Sequence, residues 1–309
     1  MGIVNTKEMF KKAYEGGYAI GAFNVDSIPM CQAILMAAEE LKSPIILSIS
    51  KGSREFMHPG NIKDMLSIVS KDITIPFAIH LDHGTSFEIC KDVIDEGFTS
   101  VMIDTGDAPF DEAITITKKV VDYAHAHGAT VEGELGPVAD IKGQDPLYYE
   151  FTNPELAKDF VERTGVDSLA VSIGTKHGSR KFESKESATL RFDILDKINE
   201  LLPGFPLVLH GSSSINENIL KVFNDNGGRL NGYIGVPNEL LVKATKTNVC
   251  KINIGTDFRV TYVGALRKSL NEIKDRFEPR NFLVPARNAV YELVKDKIVN
   301  EFNSYNKAI

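Results

Sequence analysis

Three short runs hold the residues of this chain best suited to chemistry: HLDHG at 80–84, GTKHG at 174–178 and LHGSSS at 209–214. In each, a histidine stands where an apolar stretch gives way to glycine. His83, His177 and His210, with Asp82, would gather three imidazoles and a carboxylate from three chain segments. Three histidine ligands leave zinc a fourth, open position, the arrangement of a catalytic rather than a structural site. His80 sits one full strand step deeper and is expected to support the site rather than ligate. His58, His125 and His127 fall in a loop and at a helix end, where solvation is the expected state. Glycines after His177 and His210 permit tight turns and expose backbone N–H groups, which suit a phosphate. Ser213 and Lys181 would add donors, and the run NIGTDFR adds Asn253, Thr256 and Arg259.

These side chains meet only if the strands that carry them end at one place. Eight apolar runs read as strands: 18–25, 44–50, 76–82, 100–105, 130–136, 168–174, 206–211 and 250–255. They are near-continuously apolar, as strands covered on both faces must be. Amphipathic helical stretches lie between them. One is punctuated by Thr152 or Asn153 as a cap, Pro154 in the first turn and Gly165 just past the end. Alternating strands and helices predict a parallel sheet, and eight strands suffice to close a (β/α)8 TIM barrel. A doubly wound open sheet is the rival, and it would place its ligand at one switch point. Polar residues instead stand at the ends of nearly all the strands: Asn24, Ser50, Asp82, Asp104, Glu134, His177, His210 and Asn253. That distribution predicts the mouth of a barrel, where phosphate binding after strands seven and eight recurs. Residues 137–151 and 224–239 read as long loops, a length common in lids and contact arms. The C-terminal stretch RFEPRNFLVPARNAVYELVKDKIVNEF reads as a proline-punctuated loop and then a closing helix. One domain over 1–309, with extra terminal helices, is expected.

Bulk properties narrow the function classes. The net charge is −7, acidic and basic residues are interspersed, and no basic tract suggests nucleic acid. Cys31, Cys90 and Cys250 are odd in number and far apart, which predicts buried thiols in a reducing cytoplasm rather than a disulfide framework. No apolar run approaches the ~18 residues of a membrane span. The N-terminus lacks a secretory hydrophobic region. MGIVNT matches a loose myristoylation pattern at Gly2 and Thr6, but nothing downstream supports an anchor.

Taken together, GAFNV, LKSPIILSIS, IHLDHGTSFE, GFTSVMID, VEGELG, TGVDSLAVSIGT, PLVLHGSSS, KINIGTD and EPRNFLVPAR resemble the class II, metal-dependent ketose-bisphosphate aldolases, the fructose-bisphosphate aldolase family. The order and spacing match from about residue 3 to residue 303. The resemblance implies that His83, His177 and His210 hold a catalytic zinc. It implies that Asp82 takes the proton from the substrate C4 hydroxyl, while zinc stabilises the enediolate of dihydroxyacetone phosphate as a Lewis acid. Gly178, Lys181, Gly211, Ser213, Asn253 and Thr256 would surround that half's phosphate, with room for a monovalent cation at Gly178 and Gly211. Asn24 and Ser50 would face substrate. Asp104 and Glu134 match a second metal position or the groups behind the first. Arg259, and Arg280 reaching from a neighbouring subunit, match binders of the distal phosphate, so a homodimer or homotetramer is implied.

Four positions depart from the family pattern. Thr105 and Gly106 stand where a serine hydroxyl is usual, and Ala113 follows Glu112 where an asparagine is usual. The loop VADIKGQDP replaces a Gly-Gly-x-Glu-Asp stretch that carries a mobile acid, leaving Asp140 or Asp145 as stand-ins before Glu150. Gly255 occupies a position that is Asp in fructose-selective members and small in tagatose-selective ones. Three readings compete: a zinc aldolase for fructose 1,6-bisphosphate, or for its tagatose epimer or another phosphoketose; a weakly catalytic metal- and phosphate-binding paralogue; and another metal-dependent barrel enzyme such as a hydrolase.

Overall fold

The computed structural model describes residues 2–58, 60–106, 108–137, 146–175, 182 and 188–308. The described residues form nine strands: β1 (Gly2–Ile3), β2 (Ile20–Asn24), β3 (Ile45–Ser50), β4 (Pro76–Gly84), β5 (Ser100–Ile103), β6 (Thr130–Leu135), β7 (Ser168–Val171), β8 (Leu207–Leu209) and β9 (Val249–Ile254). Their order is β1-β4-β3-β2-β9-β8-β7-β6-β5, and β4 also pairs with β5. That last pairing closes β2 to β9 into an eight-stranded parallel barrel, a TIM barrel, and removes the sheet edges an open rival would leave. The short β1, unforeseen in the sequence, extends the start of β4 through the pairs Gly2–Pro76 and Ile3–Phe77.

Alternating side chains divide each strand between the barrel interior and the surrounding helices. Phe23, Leu47, Ile79, Val101, Val131, Leu169 and Ile252 belong to the large core shared with the helices. Ala22, Ile46 and Ala78 form one smaller cluster inside the barrel, and Met102, Ala170 and Val208 another. The register places His80 beside Ser48 and Ser100, Glu132 beside Met102, and Lys251 beside Val208. Three ionisable side chains therefore point into the interior.

The helix Pro154–Thr164 shows how local sequence fixes local structure. Asn153 caps it, its side chain accepting from the N–H groups of Glu155 and Leu156, and Gly165 ends it at φ 74°. Thr152 is not the cap; its hydroxyl donates to the Leu135 carbonyl instead. Phe160 is fully buried, and a Cβ on Gly133 would lie 2.8 Å from its ring, so helix and strand touch without space between them. Phe160→Ala is expected to cost about 3–5 kcal/mol, to be read as a shift of the urea unfolding midpoint.

The closing helix starts earlier than the sequence suggests, spanning Arg280–Asp296 with Pro285 inside it. Pro285 is the sixth helical residue and forgoes the backbone bond to the Asn281 carbonyl in the previous turn. A π-helical turn, Lys297–Glu301, follows.

Candidate active site

The C-terminal ends of the strands converge on one pocket. It is lined by Asn24, Ser50, Asp82, His83, His210, Gly211, Ser213, Asn253, Gly255, Thr256 and Arg259. Asp82 is at its centre and is buried. Asn24 Nδ2 donates to Asp82 Oδ2 at 2.8 Å, and Asn253 Nδ2 donates to Oδ1 at 2.9 Å. Two amides thus aim the carboxylate from β2 and β9. Burial alone would raise its pKa, but the neighbouring His210, Lys251 and His83 outweigh burial and hold it below the usual carboxylate range. It is an anion in the resting site.

His83 is turned into the pocket by its backbone. The β4–β5 register slips between Leu81 and Gly84, and His83 has φ 54°, a left-handed conformation that a non-glycine residue rarely adopts. Slips of this kind re-aim side chains beside functional sites. His83 Nδ1 lies 2.9 Å from Asp104 Oδ2 and 3.8 Å from Glu134 Oε2. Burial disfavours its charged form, but the Asp104 hydrogen bond and the charges of Asp82 and Glu134 raise its pKa to about 9. The His83 and His210 rings meet edge to face, with centroids 4.8 Å apart.

Among the described residues two overlapping sets of donor atoms lie close enough to share a cation: Asp82, His83 and His210, and His83, Asp104 and Glu134, each within 4.8 Å. Glu134 Oε2 is buried and has no hydrogen-bond partner among the described residues. A buried acceptor in that state is costly unless something completes it, and a cation between His83 and Glu134 would do so. The donor set of imidazoles and carboxylates fits a divalent transition metal.

Beneath this layer lies a buried ionic group that sequence reasoning missed apart from His80. Glu132 Oε1 accepts from His210 Nε2 at 2.7 Å, and Lys251 Nζ donates to Glu132 Oε2 at 2.6 Å. Lys251 Nζ also reaches His80 Nε2 at 3.2 Å, while His80 Nδ1 bonds Ser100 Oγ at 2.8 Å. Lys251 is 0 % exposed. Burial, then the Lys251 charge, pushes the His80 pKa down to about 3, so His80 is neutral. It holds Lys251 rather than facing the pocket. The available signal was a charged residue inside an apolar strand, in step with the polar residue two places further on: Glu132 before Glu134, Lys251 before Asn253. Carboxylates behind metal-binding histidines fix ring orientation, and their loss typically weakens metal affinity about 10–100-fold. Glu132→Gln is expected to raise the Kd for zinc by that factor, measured by competition with a chromophoric chelator.

The other expected residues divide clearly. Gly211, Ser213, Thr256 and Arg259 line the pocket, with Arg259 Nε held by Asp26 Oδ2 at 3.2 Å. Ser50 lines it too and caps the helix Lys51–Met57, its Oγ accepting from Ser53 N. Arg280 is exposed and pairs with Glu278 at 2.7 Å, away from this pocket within one chain. Where the family hydroxyl is missing, the Gly106 N–H donates to Asp104 Oδ1 at 2.9 Å and holds that carboxylate instead. Glu150 is exposed. His177, Gly178, Lys181, Asp140 and Asp145 lie outside the described residues. His125 and His127 are at the surface, as expected, and are hydrogen-bonded there to Asp167 and to the Tyr123 carbonyl. No helix among the described residues is long and apolar enough to cross a membrane.

A closed parallel barrel with imidazoles and carboxylates gathered at its C-terminal mouth defines a metal-dependent barrel enzyme. A family model for class II fructose-bisphosphate aldolase matches residues 4–307. The fructose-bisphosphate aldolase of Treponema pallidum is 41% identical over 328 aligned residues, covering 100% of this chain and 98% of that protein. That of Giardia intestinalis is 42% identical over 299, covering 96% and 92%. The crystal structure of the YdjI aldolase from Escherichia coli K12 matches with a TM-score of 0.80 at 31% identity, over 99% of this chain and 100% of that one. The chain belongs to the class II fructose-bisphosphate aldolase family, whose members are metal-dependent lyases acting on phosphorylated sugars.

Proposed function

We propose that this chain cleaves D-fructose 1,6-bisphosphate reversibly to dihydroxyacetone phosphate and glyceraldehyde 3-phosphate, as a zinc-dependent cytoplasmic enzyme. The observation that carries the reading is Asp82, a buried anion held by two amides beside His83 and His210. His83, His210 and His177 would hold the zinc, with Asp104 and Glu134 as an adjoining position. A zinc ion bound there would supply Lewis acidity, making the C4 hydroxyl more acidic and stabilising the negative charge that develops at the C2 carbonyl.

Asp82 accepts the C4 hydroxyl proton. The C3–C4 bond breaks, the C4 oxygen becomes the aldehyde of the departing triose, and the bond's electron pair passes into the dihydroxyacetone phosphate half. A proton returned to C3 completes that product. With its pKa depressed, Asp82 is a weak base alone, so its task depends on a substrate hydroxyl already acidified. Asn24 and Asn253 keep both carboxylate oxygens oriented throughout. The Gly211–Ser213 turn and the start of the helix Thr256–Glu272 offer N–H and hydroxyl donors to one phosphate. Arg259 leaves Asp26 to meet the other, joined by Arg280 from a neighbouring copy, so the working unit is a homodimer or a homotetramer.

Gly255 favours a second reading, the tagatose epimer. A Cβ there would sit 2.7 Å from Asn24 Oδ1, so any larger residue must displace the amide that holds Asp82. The discriminating experiment is a coupled assay giving kcat/KM for both epimers. Higher kcat/KM for fructose 1,6-bisphosphate is expected; a large preference for tagatose 1,6-bisphosphate overturns the substrate assignment.

A further inference from the structure

A second buried ionic cluster lies behind the phosphate-facing turn rather than behind the histidines. Asp257, Lys297 and Glu301 are 0, 2 and 1 % exposed. Lys297 Nζ is 2.7 Å from Asp257 Oδ2 and 2.5 Å from Glu301 Oε2. All three converge on Ser214. Its N–H lies 3.1 Å from both Asp257 oxygens, its hydroxyl donates to Glu301 Oε2 at 2.8 Å, and Lys297 Nζ donates to that same hydroxyl.

We propose that Asp257, Lys297 and Glu301 are positioning residues that clamp Ser214, and so set the Gly211–Ser213 turn and the start of the helix Thr256–Glu272 to receive a phosphate monoester. The proposal rests on the aldolase reading for which phosphate is bound.

Connectivity supports it. Ser214 follows Ser213, and Asp257 follows Thr256; both neighbours line the pocket. The clamp therefore ties together the two elements that face the phosphate. Lys297 and Glu301 come from opposite ends of the π-helical turn, which sets both on the cluster. Single π turns occur frequently at functional sites. The turn is braced again by the Ser213 carbonyl, which accepts from Val236 N at 2.9 Å, and by Tyr233, whose hydroxyl accepts from Ile215 N at 3.2 Å. Gly211 itself has φ 63°, so its conformation is one that strays easily without such bracing.

Energetics point away from a purely structural purpose. Buried ion groups commonly contribute no more to stability than apolar packing of the same volume. Here two carboxylates share one ammonium, and Glu301 Oε1 is buried with no hydrogen-bond partner among the described residues. Burial, partly offset by Lys297, leaves the Glu301 pKa raised.

The test uses zinc-loaded, full-length Asp257→Asn, Glu301→Gln and Ser214→Ala, the last two being mild enough to keep the fold. Phe160→Leu serves as a core control of lowered Tm. Inorganic phosphate binding is measured by calorimetry, alongside KM, kcat and zinc content. Expected are a roughly tenfold weaker phosphate Kd and higher KM in the clamp variants, with kcat within about threefold and zinc unchanged, and neither constant moved in Phe160→Leu. Clamp variants whose phosphate Kd and KM stay within twofold of wild type overturn the proposal, as does wild-type protein that binds no phosphate. Wild-type protein that binds phosphate but cleaves neither bisphosphate overturns the aldolase reading alone.

Discussion

Asp82→Asn is expected to lower kcat by about 10²–10⁴-fold, the range that a positioned general base contributes, with KM and zinc content little changed. The amide matches the carboxylate in shape and its one oxygen can still accept from Asn24 or from Asn253, which donate to different Asp82 oxygens. It cannot take a proton. The substitution also removes a buried anion beside His83, whose raised pKa depends in part on that charge. Steady-state kinetics together with metal analysis separates the two effects: loss of kcat with full metal content marks a base, whereas loss of both marks a ligand.

His210→Ala is expected to cost a comparable amount by a different route. It deletes an imidazole of the proposed metal site and leaves Glu132 facing Lys251 without its histidine partner. Losing the metal removes several kcal/mol of charge stabilisation, or on the order of 10³-fold in kcat. Bound zinc should fall well below one per chain. The metal-free protein makes a related statement about pH. His83 is protonated below about 9, because Asp104 holds the imidazolium. A metal must displace that proton, so zinc affinity should weaken about tenfold per pH unit below that point. Zinc titration in two buffers of different ionisation enthalpy would show the released proton; no release would mean that His83 is not a ligand.

Most of the barrel could be read from the chain because strands buried on both faces leave unbroken apolar runs. The polar residue ending each run marked the mouth, and Asp82, His83, His210 and Asn253 are brought together there. Glu132 and Lys251 were less legible. A charge inside an apolar strand has no evident partner until the register sets Lys251 across the barrel from Glu132. The left-handed backbone of His83 left no trace, since no glycine announces it. Ser214 meets residues 43 to 87 positions away in sequence, two of them on a π turn whose side-chain period matches neither helix nor strand. Pro285 misplaced the start of the closing helix because a proline usually marks a helix boundary, whereas here the helix begins at Arg280 and runs through it.

The most direct test of metal-dependent aldol cleavage at this mouth is the rate of fructose 1,6-bisphosphate cleavage before EDTA, after EDTA and after zinc is restored. Loss of cleavage with the metal and its return with zinc are expected. Undiminished cleavage by protein shown to be metal-free, with a substrate adduct trapped by borohydride, would contradict it and move the chemistry to a lysine.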